Sequence, residues 1–224
     1  CMPSTIVHLA FAGLIAAALL GEAFDRKSVL IVMVVVAFPD LDSFIDLFAP
    51  YGHRVVFHNV WIPLLAGFIV FLDVYVREES YILNRWGEWG YRVAWVSIFC
   101  YLVAHVLLDM ADGSVNLFWP VHDQFYTLSG EIELSNQHGI VQTFIEWGNG
   151  NGTPTPEARG STEEVDITTG VAPGDAPEPD EDPERTFPVI GATWELILFL
   201  TGTFITAMRF HMDYDLENGE SNGE

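Results

Sequence analysis

The sequence predicts an all-α fold: a polytopic membrane bundle of about five hydrophobic helices, the first two a short hairpin, followed by a disordered acidic loop. Three observations predict it. Half of the 224 residues are hydrophobic although the net charge is -22; the apolar residues fall into separate blocks; and the acids crowd the region after Gly148 and the C-terminus. An apolar, segmented half and an acidic, polar remainder describe a membrane protein with soluble acidic parts.

The blocks run from Thr5 to Leu20, Val29 to Phe38, Val60 to Val76, Val93 to Leu108 and Ile190 to Met208. A spanning helix needs about 20 largely apolar residues, which the third, fourth and fifth blocks approach. The second is too short alone, but it follows the first after a turn containing Gly21, Asp25, Arg26 and Lys27, so the two read as a hairpin. The first block lacks the basic start and small-residue cleavage site of a secretory signal peptide and is read as a helix of that hairpin. With only Cys1 and Cys100, no disulfide framework is implied, and Cys100 reads as an apolar helix residue.

Basic residues set the expected orientation. Arg26 and Lys27 lie between the first two blocks, Arg77, Arg85 and Arg92 border the third and fourth, and Arg209 follows the fifth. Placing these in the cytoplasm puts the N-terminus outside and the C-terminus inside, with the PDLD segment at Pro39 to Asp42 facing outward. The expected location is therefore the cell membrane, multi-pass, with the lipid bilayer as partner. Residues 1–147 read as the membrane-embedded domain, 148–186 as a disordered acidic loop, 187–210 as the final transmembrane helix and 211–224 as an acidic tail. The excess of acids suits a halophilic setting, and no basic patch supports nucleic-acid binding.

Candidate chemistry sits beside the apolar blocks: His8, Asp40, Asp42, His53, Arg54, His58, His105 and Asp109. Ionisable groups near bilayer depth are costly unless they pair, meet water or bind metal. The hairpin arms, thirteen steps from His8 to Gly21 and twelve from Ser28 to Asp40, have nearly equal helical length, which returns His8 and Asp40 to one end. His58 opens the third block and His105 lies late in the fourth, which brings them to the same end in an antiparallel connection. His105 and Asp109 have i,i+4 spacing and share a helix face.

His8, Asp40, His53, His58, His105 and Asp109 are thus candidate ligands for one or two divalent ions, with zinc first and manganese or iron compatible with the same donors. Each residue alone has a plainer explanation, as a helix cap, a turn or an interfacial side chain; it is the combination that points to metal. His122, Asp123, Glu131, Glu133 and His138 are weaker loop candidates, and His211 is predicted to lie on the opposite side.

The segments PSTIVHLAFAG, AFPDLDSF, GHRVVFHN and YLVAHVLLDMADGSVNLFWP together resemble the LexA-binding, inner-membrane-associated family of metal-dependent hydrolases, which is distantly similar to zinc-dependent phospholipase C. The resemblance covers roughly residues 3 to 120 and implies the same metal-site residues, Asp42 included. Phe57 and Asn59 flank His58, and Ala104 precedes His105, where the family pattern usually has hydroxyl residues. The expected function is hydrolysis of a phosphoester or ester near the membrane surface, a phosphorylated lipid or lipid-linked substrate suiting headgroup depth. Asp42 is expected to accept the water proton and Arg54 to stabilise developing negative charge. The alternatives are a non-catalytic binding or regulatory protein with a structural metal, and a small transporter using the same groups.

Overall fold

The computed structural model describes residues 4–45, 53–137, 139–145, 156–165, 167, 169, 171 and 189–221, with side chains of the last helix described only to 214. Among these, the helices are α1 (Thr5–Leu19), α2 (Arg26–Ala37), α3 (Asp42–Ile45), α4 (Trp61–Phe71), α5 (Tyr81–Cys100), α6 (Leu107–Asp112) and α7 (Thr193–Ser221). The strands are β1 (Phe125–Thr127), β2 (Ile132–Ser135), β3 (Gly139–Gln142) and β4 (Glu157–Gly160). The chain divides into two compact units: Cys1–Pro3, Pro39–Trp61 and Val106–Pro188 form one, and Ser4–Phe38, Ile62–His105 and Val189–Glu224 the other.

The second unit is the helical one. α1 and α2 are joined by a tight turn in which Gly21 takes φ 54°, a left-handed value that costs glycine no Cβ clash. Arg92 donates to the Leu20 carbonyl beside it at 3.3 Å. Asp25 then starts α2 with a reciprocal cap: its Oδ1 accepts the Ser28 N–H at 2.7 Å, the Ser28 hydroxyl receives the Asp25 N–H, and Trp89 Nε1 donates to Oδ2 at 2.8 Å. At the far side, Asp73 accepts from the backbone N–H groups of Tyr81 and Ile82 and from the Ser80 hydroxyl, organising the start of α5. The core is a run of small and β-branched side chains, among them Ala12, Ala16, Val29, Val32, Val36, Val93, Val96 and Cys100.

α7 lies against α1 at a distance only small residues permit. A Cβ at Gly202 would stand 2.2 Å from the Ala10 carbonyl oxygen, and one at Gly13 would stand 2.6 Å from Thr206 Oγ1. Such small-residue contacts let helix backbones meet without interposed side chains.

Expectation and structure differ in three respects. Of the five apolar blocks, two become helical runs long and apolar enough to cross a membrane among the described residues, Arg26–Ile45 and Tyr81–Asp112. Thr5–Leu19 and Trp61–Val76 are apolar but short, and at about 1.5 Å per residue neither reaches the ~30 Å hydrocarbon thickness. Glu195, Arg209 and a series of threonines interrupt the apolar character of α7. Conversely, the second block gains length: Pro39 converts α2 into a 3₁₀ turn, Phe38–Leu41, that leads straight into α3.

The fold is mostly helical rather than all-α. In the first unit β1 pairs antiparallel with β4, and β2 with β3, Ile132 opposite Gln142 and Ser135 opposite Gly139. Phe125, Val55 and Ile167 form the small core beneath β1. β4 belongs to the acidic stretch read from composition as a disordered loop, and Asp123 fastens that stretch by accepting from the Thr162 hydroxyl at 2.6 Å. Pairing with the aromatic strand β1 supplies an order that composition does not reveal. Cys1 and His138 lie outside the described residues.

Gly202→Leu is expected to force α7 off α1 and lower the protein's unfolding midpoint in detergent, with an overpacking cost of about 1–3 kcal/mol. An unchanged midpoint contradicts the close approach.

Candidate metal centre

In the first unit the segment after Pro39 and the loop before α4 converge on one carboxylate. Asp42 opens α3 and has no exposed surface. Its Oδ1 lies 2.5 Å from His53 Nδ1, its Oδ2 lies 2.7 Å from His58 Nδ1, and the Arg54 backbone N–H donates to Oδ2 at 3.2 Å. Ser43, next in the chain, places its hydroxyl 3.0 Å from His53 Nδ1. The two rings meet edge-on, with centroids 4.8 Å apart.

His58 continues the chain of charge. Its Nε2 lies 3.1 Å from Asp109 Oδ2. Asp109 Oδ1 accepts from Arg54 Nη2 at 2.6 Å, and the Asp109 carbonyl accepts from Arg54 Nη1 at 3.2 Å. Arg54, Asp109 and His58 are all at most 2 % exposed. Unpaired charges buried to this degree would be very costly, and the alternation of Asp42, His58, Asp109 and Arg54 removes the imbalance.

That sequence of charges sets the protonation of His58. Burial alone would lower its pKa, but the negative charge of Asp42, reinforced by hydrogen bonds to Asp109 and Asp42, pushes it up to about 9. Protonated, His58 sits between two carboxylates, and Arg54 balances the second.

The loop geometry explains the convergence. Arg54 takes φ 68°, which is uncommon for a non-glycine residue and costs roughly 1–2 kcal/mol. The turn lets Arg54 donate its backbone N–H to Asp42, accept the Asn116 N–H at 3.0 Å through its carbonyl and send its side chain to Asp109. Room for the guanidinium depends on Gly113, where a Cβ would stand 2.4 Å from Arg54 Nη1. Asn116, itself buried, donates to Asp123 Oδ1 at 2.6 Å.

Of the residues expected from sequence, Asp42, His53, Arg54, His58 and Asp109 form this continuous cluster. Asp40 is half-buried and offers a ligand atom within 4.8 Å of one from His58. His8 and His105 belong to the other unit, where their rings stack with centroids 4.2 Å apart and His8 Nδ1 lies 2.8 Å from the Ala104 carbonyl. Of the weaker candidates, His122 meets the Tyr126 hydroxyl and Asp123 ties Asn116 to Thr162, both structural tasks. His211 is exposed.

Sequence reasoning missed Ser43, Gly113 and Asn116. A hydroxyl directly after Asp42 was a readable hint; the other two depend on where Arg54 points. It gave Asp42 and Arg54 chemical roles, and the structure adds the contacts that these side chains make. Both Asp42 oxygens are engaged by histidines, and both Arg54 terminal nitrogens by Asp109.

Asp42, His53 and His58 each offer a ligand atom, all within 4.8 Å of one another. Two imidazoles and a carboxylate form a donor set suited to a divalent first-row ion. The donors fit: metal would compete with the His58 proton for an imidazole lone pair in a cluster already holding two carboxylates.

The apolar helices and a buried His and Asp cluster whose ligand atoms could bind a metal ion together define a mostly helical protein of membrane character. The chain belongs to the YdjM inner membrane protein family, whose family model matches residues 2–153. No match was found among curated proteins or among solved structures. Its location is therefore the cell membrane.

Because the folded-state pKa of His58 lies above its ordinary 6.5, the charged imidazole stabilises the metal-free fold fully below pH 6.5, and that contribution is lost as pH rises through about 9. Metal competes with the same proton, so divalent-ion affinity should rise with pH to about 9, and binding near pH 7 should release about one proton. Calorimetry in buffers of different ionisation enthalpy reads this release. Arg54→Lys keeps the charge but lacks the two separated nitrogens that reach the Asp109 carbonyl and carboxylate together; metal affinity is expected to fall by about 10–100-fold with helical content unchanged.

Proposed function

We propose that this chain is a multi-pass membrane metal protein whose centre, on the extracytoplasmic side, hydrolyses a phosphoester or ester at the membrane surface. The observation that carries the reading is the Asp42, His53 and His58 donor set, whose ligand atoms lie within 4.8 Å of one another and which is braced by Arg54 and Asp109. Zinc is the leading ion, with manganese and iron accepted by the same donors. A divalent ion there would supply Lewis acidity, acidifying a water and polarising the substrate oxygen.

The side chains divide the remaining work. Asp42 meets the Nδ1 atoms of both histidines, so the three donor side chains are gathered where an ion would bind. Arg54 holds Asp109 and acts as a positioning residue. Asp40 is half-buried while Asp42 and Asp109 are enclosed, which leaves Asp40 as the carboxylate able to exchange a proton with solvent. A phosphorylated lipid or lipid-linked ester is the substrate class suited to such a site.

One observation favours a second reading. Asp42 and His58 have no exposed surface, and enclosed donor sets are typical of structural metal sites, whereas catalytic ones keep an open position. The alternative is therefore a non-catalytic binding or regulatory protein stabilised by its ion.

One variant tests the metal site under both readings, and a second separates them. His58→Ala is expected to lose the stoichiometric metal found in detergent-purified wild type, by elemental analysis, under either. Asp40→Asn is expected to keep the metal and lose turnover in a phosphoester and ester screen if the centre is catalytic. Metal-replete wild type inactive across the screen would favour the structural reading, and folded wild type that binds no divalent ion would remove both.

A further inference from the structure

The helical unit carries an apolar groove that the metal reading does not use. α2 packs along α5, and α4 approaches α5 at Gly67, where a Cβ would lie 3.4 Å from the Trp95 ring. Between α2 and α4 a cavity of about 270 Å³ remains. Val34 and Phe38 line it from the α2 side, Ile62 and Ala66 from α4, and Ile98 and Tyr101 from α5 and its continuation. None of its lining surface is polar.

We propose that this groove is a binding site for one acyl chain of a membrane phospholipid. Water is a poor occupant, because an ordered water needs two to four polar partners and the walls offer none. Left empty, the walls forfeit the dispersion contacts that packed interiors make. A helix from a second protein, about 10–12 Å across with its side chains, is a broader occupant than a single hydrocarbon chain for a groove between two adjacent helices. An unbranched hydrocarbon chain is thin enough, and the membrane location supplies it as solvent.

The groove also opens outward. Val34 is 62 % and Phe38 42 % exposed, so a chain can enter sideways without unfolding the helices. Ala66 is the small residue that keeps the α4 wall concave, whereas Leu64, Leu65 and Phe68 project from exposed positions on the same helix as ordinary lipid-facing side chains do. The proposal goes beyond the hydrolase reading and does not depend on a metal.

The test uses the full chain in nanodiscs containing a phospholipid with a photoactivatable group in its acyl chain, with the labelled peptides mapped by mass spectrometry. Labelling is expected to concentrate on Ile62, Ile98 and Tyr101. Ala66→Trp, which fills the groove, should lose it, while Leu65→Trp, on an exposed position of the same helix, should retain it. If Ala66→Trp does not fold, Val34→Trp at the rim provides the same block. Label spread evenly over Leu64, Leu65 and Phe68, or groove labelling that survives blockage in a folded variant, would overturn the proposal. Metal stoichiometry, measured on the same samples, is expected not to change with blockage, so failure of the groove and failure of the metal centre are separately visible.

Discussion

Everything around the candidate centre depends on a fully buried Asp42 being held between two histidines. A buried carboxylate requires compensation, and compensation by His58 creates a buried cation that in turn requires Asp109, whose own charge requires Arg54. The chain of pairs ends where the charges balance. Its members come from the α3 start, the loop before α4 and α6, so the electrostatic requirement ties together segments more than fifty residues apart in sequence.

The backbone conforms to this requirement. In its unfavourable left-handed conformation Arg54 serves Asp42 through its N–H, Asn116 through its carbonyl and Asp109 through its side chain. Gly113 omits the side chain that would occupy the guanidinium's place. Local strain at Arg54 is thus offset by three sets of hydrogen bonds, an arrangement that commonly accompanies functional sites. In the helical unit the corresponding device is smallness: Gly202 and Gly13 allow α7 to approach α1 closely enough for backbone contact.

Much of this was legible from the sequence, and the misses have definite causes. The cluster residues were visible as ionisable groups beside apolar runs, because such groups stand out where the neighbouring residues avoid water. Helix lengths were less legible. Apolar composition shows which segments avoid water, but it does not show that α1 ends before spanning distance at the Gly21 turn, or that α2 runs on through Pro39 as a 3₁₀ turn. The strands were missed for a similar reason: β4 is a short polar segment with no pattern of its own, and it becomes a strand only because Phe125, Tyr126 and Thr127 present an edge to it.

By itself the sequence determined that this is an acidic membrane protein with helical apolar segments and with histidines and carboxylates beside them, since hydropathy and charge are additive along a chain. Tertiary structure decided what each of those groups does. Asp42 and Arg54 read as agents of chemistry when considered singly, and only their contacts show them braced against His53, His58 and Asp109. The role of a buried charge depends on which partner reaches it and at what distance, and those distances arise between residues that the sequence keeps far apart.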